Sequence, residues 1–222
     1  MRAIHDVAPG QDAERILLVM LPAAKARPED LLEQGFVAAI RERGLPLDVA
    51  VVDAHADYYL ERRVGERLAV DVVTPLRTNG GYRRIWLMGM SLGGMGCIAY
   101  AHKHAAEVEG MILLAPFLGA RGLIAQILHA GGLARWQPGA LEPDDEELGL
   151  LLWLKHYRAD DPQLPAIHLG CGSHDRYAPA SALLAQQLPA ERVVSVPGKH
   201  DWQTWIRLWR ALLAKNLFLV EA

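Results

Sequence analysis

The chain has 222 residues, 51% hydrophobic and 22% charged, with a net charge of −3. A chain of this size buries about 70% of its extended surface on folding, enough for one sizeable core without disulfides or a metal. That apolar content excludes a disordered chain, no collagen or coiled-coil repeat is present, and the mild charge favours neither nucleic acid nor an anionic membrane.

Residues 1–10 lack the apolar core of a signal peptide. The longest apolar run, residues 16–24, is nine residues with Pro22 inside it, far short of a membrane span. Cys97 and Cys171 stand in apolar stretches outside any metal-binding pattern, which predicts free thiols. A soluble, cytoplasmic protein is expected.

Residues 16–21 open the predicted elements as a strand. A helix follows over 28–43, begun by Pro28, Glu29 and Asp30 and stopped by Gly44 and Pro46. A strand at 49–52 leads to His55, Asp57, Tyr58 and Tyr59. Val64, Leu68, Val72 and Leu76 then share one face of a helix over 60–77, ended at Asn79, Gly80 and Gly81. Residues 85–90 form the third strand, 92–106 a helix and 111–115 the fourth strand. Strands at 166–171 and 193–196 alternate with helices over 180–188 and 202–219, the last packing Trp205 and Trp209 on the sheet.

None of these six runs alternates cleanly with polar residues, which suits strands covered on both faces. The rhythm predicts an α/β fold, a six-stranded, mostly parallel sheet with helices on both faces. About fifty residues between Ala115 and Pro165 break it, with glycines at 119, 122, 131, 132 and 139 and an acidic run over Asp144–Glu147. With helices at 123–128 and 148–157 and little room for its own core, this interval, about 117–160, reads as a lid or binding loop over the strand ends. One domain over 1–222 is expected.

After the third strand comes Gly89-Met90-Ser91-Leu92-Gly93, a G-x-S-x-G match between strand and helix. A serine on so tight a turn is held in a strained conformation, and only glycine-sized neighbours leave it room. Its hydroxyl emerges at the carboxyl end of the sheet, and the Leu92 N–H sits at a helix N-terminus where developing negative charge is favoured. Dinucleotide and Walker phosphate-loop patterns are absent here.

Such a serine needs a base, and the base an orienting acid. His200 lies in the loop that leaves the last strand and enters the final helix. His168 falls inside a strand, and His129 and His156 fall in the insertion. Asp175 follows the fifth strand in a glycine-containing loop, whereas Asp160 and Asp161 precede that strand at its wrong end and Asp201 adjoins the base.

Ser91, Asp175 and His200, in this order and at these strand ends, resemble the α/β-hydrolase family, and the segments around them look like those of small esterases and thioesterases. The resemblance spans nearly the whole chain. It implies the strand order second, first, third, fourth, fifth, sixth, with the two opening antiparallel strands of larger members missing or reduced. It also implies a second oxyanion donor in the loop after the first strand. Pro22 has no N–H to give, so Ala23 or Ala24 is the candidate beside Leu92. The expected activity is serine hydrolysis of a small, apolar carboxylic ester through an acyl-enzyme on Ser91. A thioesterase, a peptidase or a non-catalytic ligand-binding member of the fold are the alternatives.

Phe117, Leu118, Ile124 and Tyr58 are the candidate substrate-binding residues. Lys25 and Arg27 flank the loop of the second donor. No metal and no organic cofactor are expected; the partner is a small acyl substrate, with neither nucleic acid nor membrane, and the oligomeric state is left open.

Overall fold

The structure is a computed structural model that describes residues 1–10, 15–139 and 145–218. Asp144 of the acidic run, residues 140–144 of the insertion and the Leu219 end of the last predicted helix lie outside these residues.

Seven strands form one sheet: β1 (Ala3–Asp6), β2 (Ile16–Leu21), β3 (Leu47–Val52), β4 (Arg84–Met90), β5 (Gly110–Leu114), β6 (Ala166–Gly172) and β7 (Val193–Val196). Their order is β1-β3-β2-β4-β5-β6-β7, and every pairing from β3 to β7 is parallel. The six predicted strands and their order are present.

The seventh strand corrects the expected number. β1 pairs antiparallel with β3, Ala3 opposite Val52 and Asp6 opposite Val49. Its four residues include His5 and Asp6 and stay half-exposed at the sheet edge, so no apolar run announces it. Side chains from elsewhere hold it. The Asp6 carboxylate pairs with Arg41, and the buried Asp48 carboxylate accepts from the Ala8 N–H at 2.7 Å, Tyr82 Oη at 2.6 Å and Arg15 at 3.1 Å.

Alternation along the strands divides the core in two. Leu17, Val19 and Leu21 face one side with Leu87 and Leu113, covered by α4 (Val64–Leu68), α6 (Leu92–His104) and α8 (Glu146–His156). Leu18, Met20, Met88 and Ile112 face the other, covered by α2 (Phe36–Arg41) and α10 (Trp202–Leu213). Both faces of β2 to β6 are buried, so these strands read as apolar runs, whereas β7, like β1, is a half-exposed edge.

Two predicted helices are broken. Gly35, at φ +81°, divides 28–43 into α1 (Pro28–Glu33) and α2. In place of one helix over 60–77, α3 (Ala56–Leu60) is separated from α4 by a turn in which Arg62 has φ +56°. α4 then widens into a π turn, Ala69–Val73, before α5 (Thr74–Gly80). Pro75 has no N–H and crowds the carbonyl four residues back, and the Thr74 N–H donates five residues back to the Ala69 carbonyl.

The excursion between β5 and β6 carries α7 (Arg121–His129) and α8. Its Ile127, Leu133, Trp136 and Leu151 are buried in the same cluster as Leu113 and Leu169 of the sheet. Among the described residues no helix is long and apolar enough to cross a membrane.

Candidate active site

Ser91 stands between β4 and α6 at φ +53°, ψ −119°, a backbone conformation that L residues avoid. Its neighbours show why glycine surrounds it. A Cβ on Gly93 would lie 2.2 Å from the Leu21 carbonyl oxygen, and one on Gly89 would lie 2.3 Å from that of Gly93. The turn is pinned on both sides. The Ser91 N–H donates to the Leu114 carbonyl at 2.9 Å, and the Ser91 carbonyl accepts from Gly94 at 3.0 Å and Phe117 at 2.8 Å.

Asp175 follows β6, and His200 lies between β7 and α10. The His200 Nδ1 is 2.8 and 2.9 Å from the two Asp175 carboxylate oxygens, and its Nε2 is 2.9 Å from Ser91 Oγ. A buried carboxylate on Nδ1 assigns the proton to that nitrogen, which leaves the Nε2 lone pair to accept from the serine hydroxyl. The Tyr177 N–H donates to Asp175 Oδ1 at 2.8 Å and orients the carboxylate in turn. Asp201 is not the orienting acid, because its carboxylate caps α10 by accepting from the Thr204 N–H at 2.8 Å.

The other histidines are elsewhere. His168 stacks on Trp86 at 5.8 Å inside the sheet, His129 is exposed and His156 bonds the Leu152 carbonyl. Asp161 lines a separate cavity among residues preceding β4, β5 and β6, at the opposite end of the sheet.

Leu92 opens α6 beside the serine, and its N–H has no protein acceptor among the described residues. The close approach of Gly93 to the Leu21 and Pro22 carbonyls brings the loop after β2 against this helix start. Ala23 is half-buried there, its carbonyl accepting from the Ala26 N–H at 3.0 Å, whereas Ala24 is exposed.

A cavity of about 530 Å³ adjoins the site between α7 and α9 (Ala178–Ala185), within the size range of ligand pockets. Phe117, Ile124, Leu128, Tyr177 and Pro179 give it apolar walls, with Arg121 and Arg176 beside them. Of the candidate substrate residues, Phe117 and Ile124 line it. Leu118 does not; it is 5% exposed and packed into the core. Tyr58 also stands apart, half-buried with its ring 6.3 Å from that of His55. Tyr59 is the tyrosine that reaches α6, its hydroxyl 2.8 Å from where a Gly96 Cβ would stand.

Two aromatic residues not assigned to the site from sequence clamp the imidazole. Tyr177 and Trp205 each stand edge-on to the His200 ring at 4.8 Å. Their positions carry a signal in hindsight, Tyr177 two residues after the acid and Trp205 one helical turn after Asp201. Among the described residues no group of three His, Cys, Asp or Glu side chains is arranged to hold a metal ion.

The family model for serine aminopeptidase, S33, matches residues 68–143, the part that includes the serine turn. No curated protein matches the chain. Among solved structures, S-formylglutathione hydrolase of Staphylococcus aureus superposes with a TM-score of 0.62 at 16% identity, covering 90% of this chain and 80% of that one. Est1E of Butyrivibrio proteoclasticus gives 0.60 at 16% identity, covering 97% and 93%. A hydrolase of Pseudomonas aeruginosa gives 0.59 at 19% identity, covering 98% and 94%. With its parallel strands in the order described and Ser91 on the turn after β4, the chain has the fold of the α/β-hydrolases.

Proposed function

We propose that the chain is a serine hydrolase that cleaves a small carboxylic ester with an apolar acyl group. The observation that carries this reading is the hydrogen-bonded line from the Asp175 carboxylate through His200 to the Ser91 hydroxyl. A serine hydroxyl becomes an effective nucleophile only when a base takes its proton, and a carboxylate on the far nitrogen supports the imidazolium that results.

The roles follow from position. Ser91 Oγ attacks the ester carbonyl while its proton passes to His200 Nε2. The Leu92 and Ala23 N–H groups receive the oxyanion, Ala23 being preferred over the exposed Ala24. The leaving alkoxide takes the proton from Nε2 as the C–O bond breaks. Water then attacks the acyl-enzyme with His200 again as base, releasing the acid and restoring the serine. The acyl group is assigned to the cavity lined by Phe117 and Ile124. One domain over 1–222 does this work, with the β5–β6 excursion as its lid. The buried, free Cys97 thiol fits a reducing, cytoplasmic setting.

A thioester is the second leaving-group class, because S-formylglutathione hydrolase appears among the structural relatives. A fluorophosphonate probe is expected to label the wild type and not Ser91→Ala. Ester, thioester and amide substrates of graded chain length then rank the leaving groups. A wild type that is unlabelled and inert toward the whole panel, yet binds an ester saturably, overturns the reading in favour of a non-catalytic binding protein.

A further inference from the structure

Two positive charges beside the site are used neither by the hydrolytic geometry nor by the core. Arg121 is the first residue of α7 and Arg176 follows Asp175 directly, and both line the cavity next to Phe117 and Tyr177. Neither makes an ion pair among the described residues, and no carboxylate lines the cavity. Elsewhere on the surface Arg2, Arg27, Arg67, Arg77 and Arg210 are each matched to an acid. Glu147 reaches the loop before Arg121, but its Oε2 accepts from the Ala120 N–H at 2.8 Å.

The placement of Arg176 joins it to the chemistry. Its guanidinium carbon lies 5.0 Å from the centre of the Tyr177 ring, and that ring stands edge-on to His200. A guanidinium held over an aromatic face keeps its N–H donors in plane for a carboxylate. The same cavity is lined by Phe117, whose ring packs on Tyr177 with centres 5.6 Å apart and whose N–H donates to the Ser91 carbonyl, and by Ile124 and Leu128 of α7. The cavity thus combines apolar side chains, Ile124 buried among them, with two exposed cationic ones.

We infer that the acyl chain of the substrate, apolar along its methylenes as proposed above, carries a carboxylate at its far end, the methylenes lying along Ile124 and Leu128 and the carboxylate held by Arg121 and Arg176. The substrate class is a monoester of a short dicarboxylic acid, cleaved with water to the free diacid and an alcohol. This rests on the reading of Ser91 as nucleophile.

The experiment compares kcat/KM for mono-4-nitrophenyl adipate with that for the same ester whose free carboxyl is capped as a methyl ester. The wild type is expected to favour the anionic ester by roughly 10- to 100-fold at low salt, the range for charge-assisted hydrogen bonds. That ratio is expected to fall toward one in Arg121→Gln/Arg176→Gln and with added salt, and to drop below one in Arg176→Glu. Reading the ratio separates recognition of the charge from any general change in turnover. Turnover of the capped ester with a wild-type ratio of one or less overturns the anionic subsite and leaves the esterase reading standing. A ratio unchanged in the double variant also overturns it. A wild type that turns over neither ester overturns both.

Discussion

Ser91 Oγ and His200 Nε2 lie 2.9 Å apart although 109 positions separate them in the chain. The serine follows β4 and the histidine follows β7, three strands away across the sheet. Strands in a sheet are about 4.8 Å apart, so the loop after β7 has to bring its histidine back over the ends of β6 and β5. The backbone of that loop is fastened to the β6 end: Ser173 N–H donates to the Val196 carbonyl and His174 N–H to the Gly198 carbonyl, each at 2.9 Å. Arg207 of α10 donates to the Pro197 carbonyl at 2.7 Å. The site is therefore built by sheet order and by a few loop bonds.

Asp175→Asn tests the orienting acid. The amide keeps the size of the carboxylate and its oxygen still accepts from the Tyr177 N–H. Its NH2 group toward Nδ1 favours the tautomer in which Nε2 carries the proton and accepts nothing from Ser91. A loss in kcat of about 10³- to 10⁴-fold is expected for an activated ester, with a denaturation midpoint close to that of the wild type. A loss of less than tenfold would falsify the assignment of Asp175.

Gly172→Ala tests the loop geometry without touching a reacting group. A Cβ there would meet the Gly198 carbonyl oxygen at 2.5 Å and Thr204 Cγ2 at 2.9 Å, so the loop carrying His200 has to move. A displacement near 1 Å costs on the order of 10²-fold in rate. That loss is expected in kcat, together with a slowed fluorophosphonate reaction at Ser91. Wild-type labelling kinetics in a folded Gly172→Ala protein would show that the histidine is positioned by something else.

Much of this was legible in the sequence because it rests on local rules. Glycines at 89 and 93 around Ser91 are required by backbone crowding, and β2 to β6 read as apolar runs because both faces are covered, while β7, half-exposed at the other edge, reads as one through its three valines. What escaped depends on contacts between distant segments. β1 is a half-exposed edge held by Arg41 and Asp48, residues whose partners no periodicity reveals. Tyr177 and Trp205 both stand against the ring of His200, and the Trp205 pattern read alone says only that it packs. Of the four candidate substrate residues, Phe117 and Ile124 line the cavity, whereas Leu118 turns into the core and Tyr58 stands apart, because position along the chain does not say which way a side chain turns.

Ile124→Trp tests the cavity as an acyl site. Ile124 lines it from α7, and an indole in its place takes up volume that a chain of several methylenes would occupy. The ratio of kcat/KM for a hexanoate over an acetate ester is expected to fall roughly tenfold or more, the scale of discrimination by a methylene or two in an apolar pocket. Equal losses on both esters would place the acyl chain outside the cavity.

His168 sets an acid limit on stability away from the site. Its ring is stacked on Trp86 in the sheet and its Nδ1 has no hydrogen-bond partner among the described residues. Burial, with smaller contributions from Arg192 and Lys215, pushes its pKa from the ordinary 6.5 down to about 4. The folded chain keeps His168 neutral over that interval, whereas the unfolded chain takes up the proton near the ordinary value. Unfolding thus binds a proton between those two pH values, and the fold loses stability as pH falls through them, by about 3 kcal/mol in total. His168→Phe retains the aromatic stack and cannot titrate. Urea unfolding at about pH 7 and about pH 4.5 is expected to show a wild-type loss larger than that of the variant by roughly 2 kcal/mol. Parallel losses in the two proteins would assign the acid sensitivity to carboxylates and not to this histidine.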